Sequence, residues 1–255
     1  MMRIFRSIRK NLLDGKNLKK YISYALGEIV LLVIGILIAL AINNKNISYD
    51  KARKEQLYLK GLKKEFTTSK RKLSELIRVN RINYLGARDL VNLMNDSSIK
   101  INEKDFSLIL FNSFAYDISF NPNNSLLYEM INSGSLRDIS DNNLRIQLTN
   151  YLSTIEDISK QEDDLAEQRK SVLDTFRKNY SIMRVFDDSG ISKGDLGIQS
   201  RKNNISNLDI LSDKEFENNL LIFILTSLAT EESHYQPLLE EMDFILKSIE
   251  SNINE

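Results

Sequence analysis

Residues 24–44, YALGEIVLLVIGILIALAINN, decide the architecture. Ile29 to Ile42 is a run of fourteen uncharged residues. At about 1.5 Å per residue it makes about 21 Å of helix, short of a bilayer core of about 30 Å. Beginning at Ile22 gives about 31 Å, which fits, and draws Glu28 inside by about 9 Å. A cleaved secretory signal is the competing reading. Ala39-Leu40-Ala41 is followed by Ile42-Asn43-Asn44, so cleavage there would remove the end of the run itself, and an uncleaved signal-anchor is expected.

Charge is laid out around this segment. The 255 residues carry 35 Lys+Arg and 35 Asp+Glu. Residues 1–20 hold seven basic residues against Asp14, net +6, and residues 46–82 hold eleven against four acids, net +7. The rest of the chain is acidic. Seven basic residues precede the segment, and five (Lys45, Lys51, Arg53, Lys54, Lys60) follow it in a comparable window. This bias points to a cytoplasmic N-terminus. Residues 45–255 then lie outside the inner membrane, in the periplasm. Within the leader, Met1, Ile4, Phe5, Ile8 and Leu12 share one helical arc, opposite Arg3, Arg6, Arg9 and Lys10. That pattern suits a short amphipathic helix on the anionic leaflet, with Lys19 and Lys20 adding positive charge beside it. A charged leader without fixed structure is the alternative.

Inside the span, Glu28 and Gly35 are seven residues apart and Glu28 and Ala39 eleven, so each pair lies about 20° apart on a helix. Tyr24 is one turn earlier. Tyr24, Glu28, Gly35 and Ala39 therefore form one stripe, and Gly35-x-x-x-Ala39 is a small-xxx-small pair suited to close helix approach. A carboxyl on that face would point at a partner helix; equally, its shallow depth allows it to reach the interface.

Two prolines and nine glycines in the chain leave room for long helices. Residues 47–94 read as one helix. Steps of seven from Leu59 and Leu62 meet Phe66, Leu73, Ala87, Met94, Leu76 and Leu90, with Ser69, Asn80 and Asn83 interrupting. This predicts one helix of an antiparallel bundle, or a parallel coiled coil. Further helices are expected at about Glu103–Phe114, from a Ser125 cap to Ser133 with Gly134 left-handed, and from an Asp141 cap to about Met183. Residues 184–211 read as a mobile loop. Ser212 and Glu215 match a capping box for the last helix or helix pair. There, the six apolar residues Leu220–Leu225 predict burial on all sides, and Pro237 a kink or division. The fold class expected is all-α: one N-terminal transmembrane helix, then an extramembrane antiparallel helical bundle with a long first helix.

The chemistry is sparse. With no cysteine, disulfides and thiol catalysis are out. Glu231 and the only histidine, His234, have Glu-x-x-His spacing, but a di-metal bundle needs that motif twice. No phosphate-binding glycine loop or nucleophile elbow occurs. The acid clusters at Glu162-Asp163-Asp164, Asp187-Asp188 and Glu240-Glu241 read as solvated helix faces. The basic residues of 51–81 are interleaved with acids, which favours lipid head groups or a simple polar helix face over nucleic acid.

Two stretches, YALGEIVLLVIGILIALAINN and NSLLYEMINSGSLRDISDNNLR (residues 124–145), resemble a Bacteroidota membrane-protein family filed as domain of unknown function 6090. The resemblance lies in a basic leader, a Gly-Glu-Ile start to the span, an Ile-Asn-Asn end and a helical domain after it. Family members often carry Trp where this chain has Lys45, so an aromatic interface anchor is missing. The resemblance implies location and architecture, and no activity. The expectation is an interaction or scaffold protein that self-associates or binds another membrane protein, without cofactor or catalysis. A periplasmic sensor or signalling accessory working through a membrane partner is the alternative.

Overall fold

The computed structural model describes residues 18–96, 98–199 and 205–253. Among them it is all-α, with no strand. The chain divides into two compact units, one ending at Gln56 and one spanning Leu57–Glu255. Helix α1 (Leu18–Asn95) supplies all of the described part of the first unit and the first long helix of the second. It runs 78 residues unbroken because both prolines, Pro122 and Pro237, lie outside it.

Three long rods form the second unit. One is α1 from Leu57. Another is α4 (Asn142–Asn179), and the third is α6 (Lys214–Thr230) continued by α7 (Gln236–Asn252). The third rod is antiparallel to α1. Lys63 meets Glu250 at 2.9 Å, Lys70 pairs with Asp243, and Arg81 with Glu231, so one number rises as the other falls. It is antiparallel to α4 by the same logic. Asn219 Nδ2 donates to Thr175 Oγ1 at 2.9 Å, Gln161 Nε2 to Thr230 Oγ1 at 3.1 Å, and Asn252 Nδ2 to Asp141 Oδ2 at 2.9 Å. Phe66 and Tyr151, with ring centroids 4.7 Å apart, join α1 to α4.

The seven-residue seam of α1 faces this core. Leu59, Leu62, Phe66, Leu73, Ala87 and Leu90 are buried. The three polar interruptions are buried as well, and each is a latch. Ser69 Oγ accepts from Asn123 N at 2.7 Å. Asn80 Nδ2 donates to Ser227 O at 3.0 Å, and Asn83 Nδ2 to Tyr116 O at 3.5 Å. Asn123 N and Tyr116 O lie outside any helix and take a partner from the seam, whereas Ser227 O accepts from Asn80 in addition to Glu231 N of its own helix.

Shorter elements close the remaining side. Helix α2 (Glu103–Phe114) begins at Asn102, whose side chain accepts from Asp105 N at 2.9 Å. Helix α3 is Ser125–Asn132. Ser125 is its first residue and not its cap. Instead Glu65 of α1 accepts from Leu126 N at 2.8 Å and Leu127 N at 3.4 Å, so a carboxylate from another helix satisfies the first amides. Gly134, at φ 73°, leads into a 3₁₀ turn at Ser135–Asp138. Asp141 caps α4 as expected, accepting from Asn143 N and Leu144 N at 2.8 and 3.2 Å.

The sequence reading is corrected at three further places. Residues 184–211 are not one loop. Helix α4 stops at Asn179, and Ser181 caps a separate helix α5 (Ile182–Ser189), which buries Val185. At the other end a 3₁₀ turn, Leu208–Ser212, buries Ile210. Asn207 ties the two ends, accepting from Ser181 N at 2.8 Å and donating to Ser181 O at 3.0 Å. Each piece buries a single large apolar side chain, and the apolar pattern of α5 (Ile182, Val185, Phe186) spans too few turns to be read from sequence. Second, Asp213 and not Ser212 caps α6, accepting from Glu215 N at 2.8 Å and Phe216 N at 3.0 Å; Ser212 ends the 3₁₀ turn. Third, Leu220–Leu225 is not enclosed. Leu220 and Phe223 are fully buried, whereas Leu221, Ile222 and Leu225 are 46%, 48% and 68% exposed. A helix on the rim of a three-rod bundle buries one side only. At Pro237 the rod divides as anticipated. A π turn at Glu231–Tyr235 carries the chain to α7, with Gln236 N donating to Glu231 O. The widened turn lies immediately before Pro237, whose nitrogen has no hydrogen to donate.

One glycine is set by packing. A Cβ on Gly86 would collide with Ser113 Oγ and lie 3.2 Å from Ser113 Cβ. Ser113 is buried and held by donation to Ile109 O at 2.7 Å. Gly86→Ala is expected to lose about 1–3 kcal/mol to overpacking, offset by the roughly 1 kcal/mol that alanine gains in a helix. Gly61→Ala, where the new atom meets only the flexible end of Leu126, is the control. Chemical denaturation midpoints of the two variants measure the difference.

Candidate functional site: an unburied apolar segment and the polar nodes of the bundle

The segment from Ile22 meets the length and composition needed to cross a membrane, with mean hydropathy 2.8 over its most apolar window. None of that window is buried against protein. Leu31 and Leu32 are 71% and 62% exposed. All four stripe residues lie on α1: Tyr24 is half-buried, and Glu28, Gly35 and Ala39 are exposed. Nothing lies within 4 Å of where a Cβ on Gly35 would stand, so that face has room for a close neighbour. Of the basic leader residues, Lys19 is exposed in the first turn of α1, and Lys20 follows it in the helix. Arg3, Arg6, Arg9 and Lys10 lie outside the described residues.

In the bundle, the least expected residue is Glu162. It is buried, not solvated. Its Oε1 accepts from Tyr235 Oη and from Phe120 N, both at 2.8 Å, and so joins α4, the π turn and the segment before α3. Burial pushes its carboxyl above the ordinary carboxylate range, the two donors oppose the shift, and Asp163 and Asp117 reinforce it. Burial likewise raises the Tyr235 phenol. One clue was present in the sequence: Glu162 stands four residues after Ile158 and three before Leu165, on the apolar face of its helix.

The other acids divide similarly. Asp163 and Asp164 are exposed. Asp188 accepts from Ser107 Oγ at 2.8 Å and Arg184 Nε at 3.2 Å, and Asp187 accepts from Ser192 Oγ at 2.6 Å. That cluster therefore fastens α5 to α2 instead of facing solvent. Burial raises the Glu241 carboxyl, while Glu240 is exposed. Glu231 is buried and engaged by Arg81, and His234 is half-buried. The Glu-x-x-His pair is thus divided between a bundle contact and a surface cleft of about 370 Å³ that His234 shares with Ser153, Thr154 and Asp157.

Two further clefts bear on function. One, of about 450 Å³, is apolar and lies between α2, the end of α4 and α5, with Leu110, Phe114, Phe176, Val185 and Leu196 in its walls. Arg177 at its rim is paired with Asp174 at 3.0 Å. The other, of about 590 Å³, is shallower and mixed, lined by Arg71, Lys72, Glu75, Tyr116 and Asp117 among others. Neither assembles an acid, a base and a nucleophile at hydrogen-bond distance.

Residues 28–169, more than half of the chain, match the Family of unknown function (DUF6090). The chain belongs to this family. No curated protein and no solved structure matches it. The DUF6090 match opens on Glu28 and so takes in Gly35, Ala39, the whole α1 seam with Ser69, Asn80 and Asn83, and Glu162. It ends within α4. Helices α5 to α7, with the partners Ser227, Glu231 and Tyr235, lie beyond the DUF6090 match.

Proposed function

We propose that this chain is a single-pass, membrane-anchored helical interaction protein that self-associates and has no catalytic activity of its own. One observation carries the reading. Among the described residues the most apolar stretch buries nothing against protein, and the buried core of the second unit is made of its own residues, Leu59 to Ile249. Thirteen exposed large apolar side chains between Ile22 and Ile42 are stable in a bilayer and not in water. The basic leader places the N-terminus in the cytoplasm and the helical unit in the periplasm of a bacterial inner membrane. The stripe Tyr24, Glu28, Gly35, Ala39 is the surface through which a second copy, or another membrane protein, is met. The apolar cleft beside α5 supports a second reading, a sensor or signalling accessory in which a ligand there biases a membrane partner.

Carbonate extraction, C-terminal reporters and crosslinking in native membranes test the first reading together. The chain is expected to resist extraction, and a C-terminal periplasmic reporter to be active. Gly35→Leu is expected to lower crosslinked dimer through the span, and Glu28→Gln to change it less, because an amide still hydrogen-bonds there. A chain that washes off with carbonate, or a reporter active only in the cytoplasm, would refute anchoring or orientation respectively.

A further inference from the structure

Among the described residues the outer face of α6 has no partner, and its residue pattern specifies one. Asn218 to Thr230 is thirteen residues without a charge, bounded by Glu217 and Glu231. It is far too short to cross a bilayer. Its inner side is spent on the core through Leu220, Phe223, Ser227 and Thr230. Its outer side presents Asn218, Leu221, Ile222, Leu225, Leu228 and Ala229, all exposed. Asn218, Leu221, Leu225 and Leu228 follow the 3-4-3 spacing of a two-helix seam.

We infer that this face pairs in parallel with the same face of a second copy. Three features select that occupant. The face holds no charge, so it has nothing to recognise an acidic or basic partner and nothing to repel its own copy. Leucines at seam spacing interlock with an identical row. In a parallel pair each Asn218 meets its counterpart, and a carboxamide has both a donor and an acceptor for another carboxamide; one asparagine in an apolar seam fixes register and pair number. Six exposed residues are fewer than the roughly 20–30 residues a side of a free-standing interface. Confinement of copies to one membrane in one orientation supplies the missing strength as effective concentration. The inference rests on membrane anchoring as proposed above, and does not require the Gly35 stripe.

The natural chain has no cysteine, which permits a direct test in the full-length protein in native membranes. L225C and N218C are each expected to give an oxidised dimer, about tenfold more than D164C on the exposed face of α4. Adding Leu221→Asp to L225C is expected to reduce that dimer by at least about tenfold, because both copies lose a seam leucine, with helical content unchanged because Leu221 is 46% exposed within its own chain. The L225C dimer is expected to survive Gly35→Leu. Equal dimer from D164C would mean random collision and would overturn the proposal, as would no dimer from L225C. A dimer from L225C without one from N218C would overturn the parallel register. Loss of the L225C dimer with Gly35→Leu would assign association to the span alone. Quenching of a fluorophore on L225C by spin-labelled lipid would put this face on the bilayer. Release of the chain by carbonate would instead remove the membrane anchoring on which both readings stand.

Discussion

Glu162→Ala is expected to destabilise the helical unit by about 3 kcal/mol, and Glu162→Gln to leave it near the natural stability or above it at neutral pH. The alanine variant strands a buried phenol and a buried backbone amide, Tyr235 Oη and Phe120 N, which now donate to one oxygen at 2.8 Å. Each stranded group costs about 1–3 kcal/mol. In a unit of this size that lowers the melting temperature by roughly 10 °C. Glutamine keeps an oxygen at the shared acceptor position and removes the charge. The pH dependence follows from the raised carboxyl of Glu162, held above its ordinary value of 4.5 chiefly by burial. A group whose folded pKa is raised contributes stability that is fully present below its unfolded pKa and is lost as pH rises through the folded one. The natural chain should therefore lose this contribution between the ordinary carboxylate value and the raised one. Glu162→Gln should not, so its advantage over the natural protein grows with rising pH. Melting curves of both chains across acidic and neutral pH give the sign. A constant difference across the range would show that Glu162 does not titrate in its raised window.

The second large effect separates neighbours in one apolar run. Phe223→Ala is expected to cost about 3–5 kcal/mol, and Leu225→Ala less than about 0.5 kcal/mol. Phe223 is fully buried, with its ring centroid 5.1 Å from that of Phe114 in a tilted pair, so truncation opens a cavity between α6 and α2. Leu225, two residues on, is 68% exposed and leaves no cavity. Urea denaturation of the two variants in the same detergent decides. Equal costs would mean that the outer face of α6 is covered under those conditions, by its own chain or by a second copy.

Features of this chain were legible where one periodicity runs over many turns or a cap is local. The α1 seam from Leu59 to Leu90, the Asp141 cap and the Glu103–Phe114 helix all follow from 3.6-residue spacing and local capping chemistry, which need no tertiary partner. The family resemblance was legible because its motifs are contiguous strings, and the match over residues 28–169 agrees with it. Capping at α3 and α6 was misplaced by one residue or one helix. Ser125 and Ser212 are good caps locally, but Glu65 comes from 61 residues earlier and Asp213 stands beside the serine. The short helix α5 was missed because eight residues carry too few turns for a pattern.

What the sequence by itself determined is the division of labour along the chain: an apolar segment from Ile22, charge on both flanks, and helices throughout the described remainder. Those properties depend on composition and on neighbours within a few turns. Only the tertiary structure decided which polar groups are buried and which apolar ones are not. Glu162, Asn80 and Ser69 are inside because distant backbone and phenol groups need them there, and Leu221 and Leu225 are outside because α6 lies on the rim of three rods. Burial is a property of what packs against a residue, and no window of sequence contains the other side of that contact.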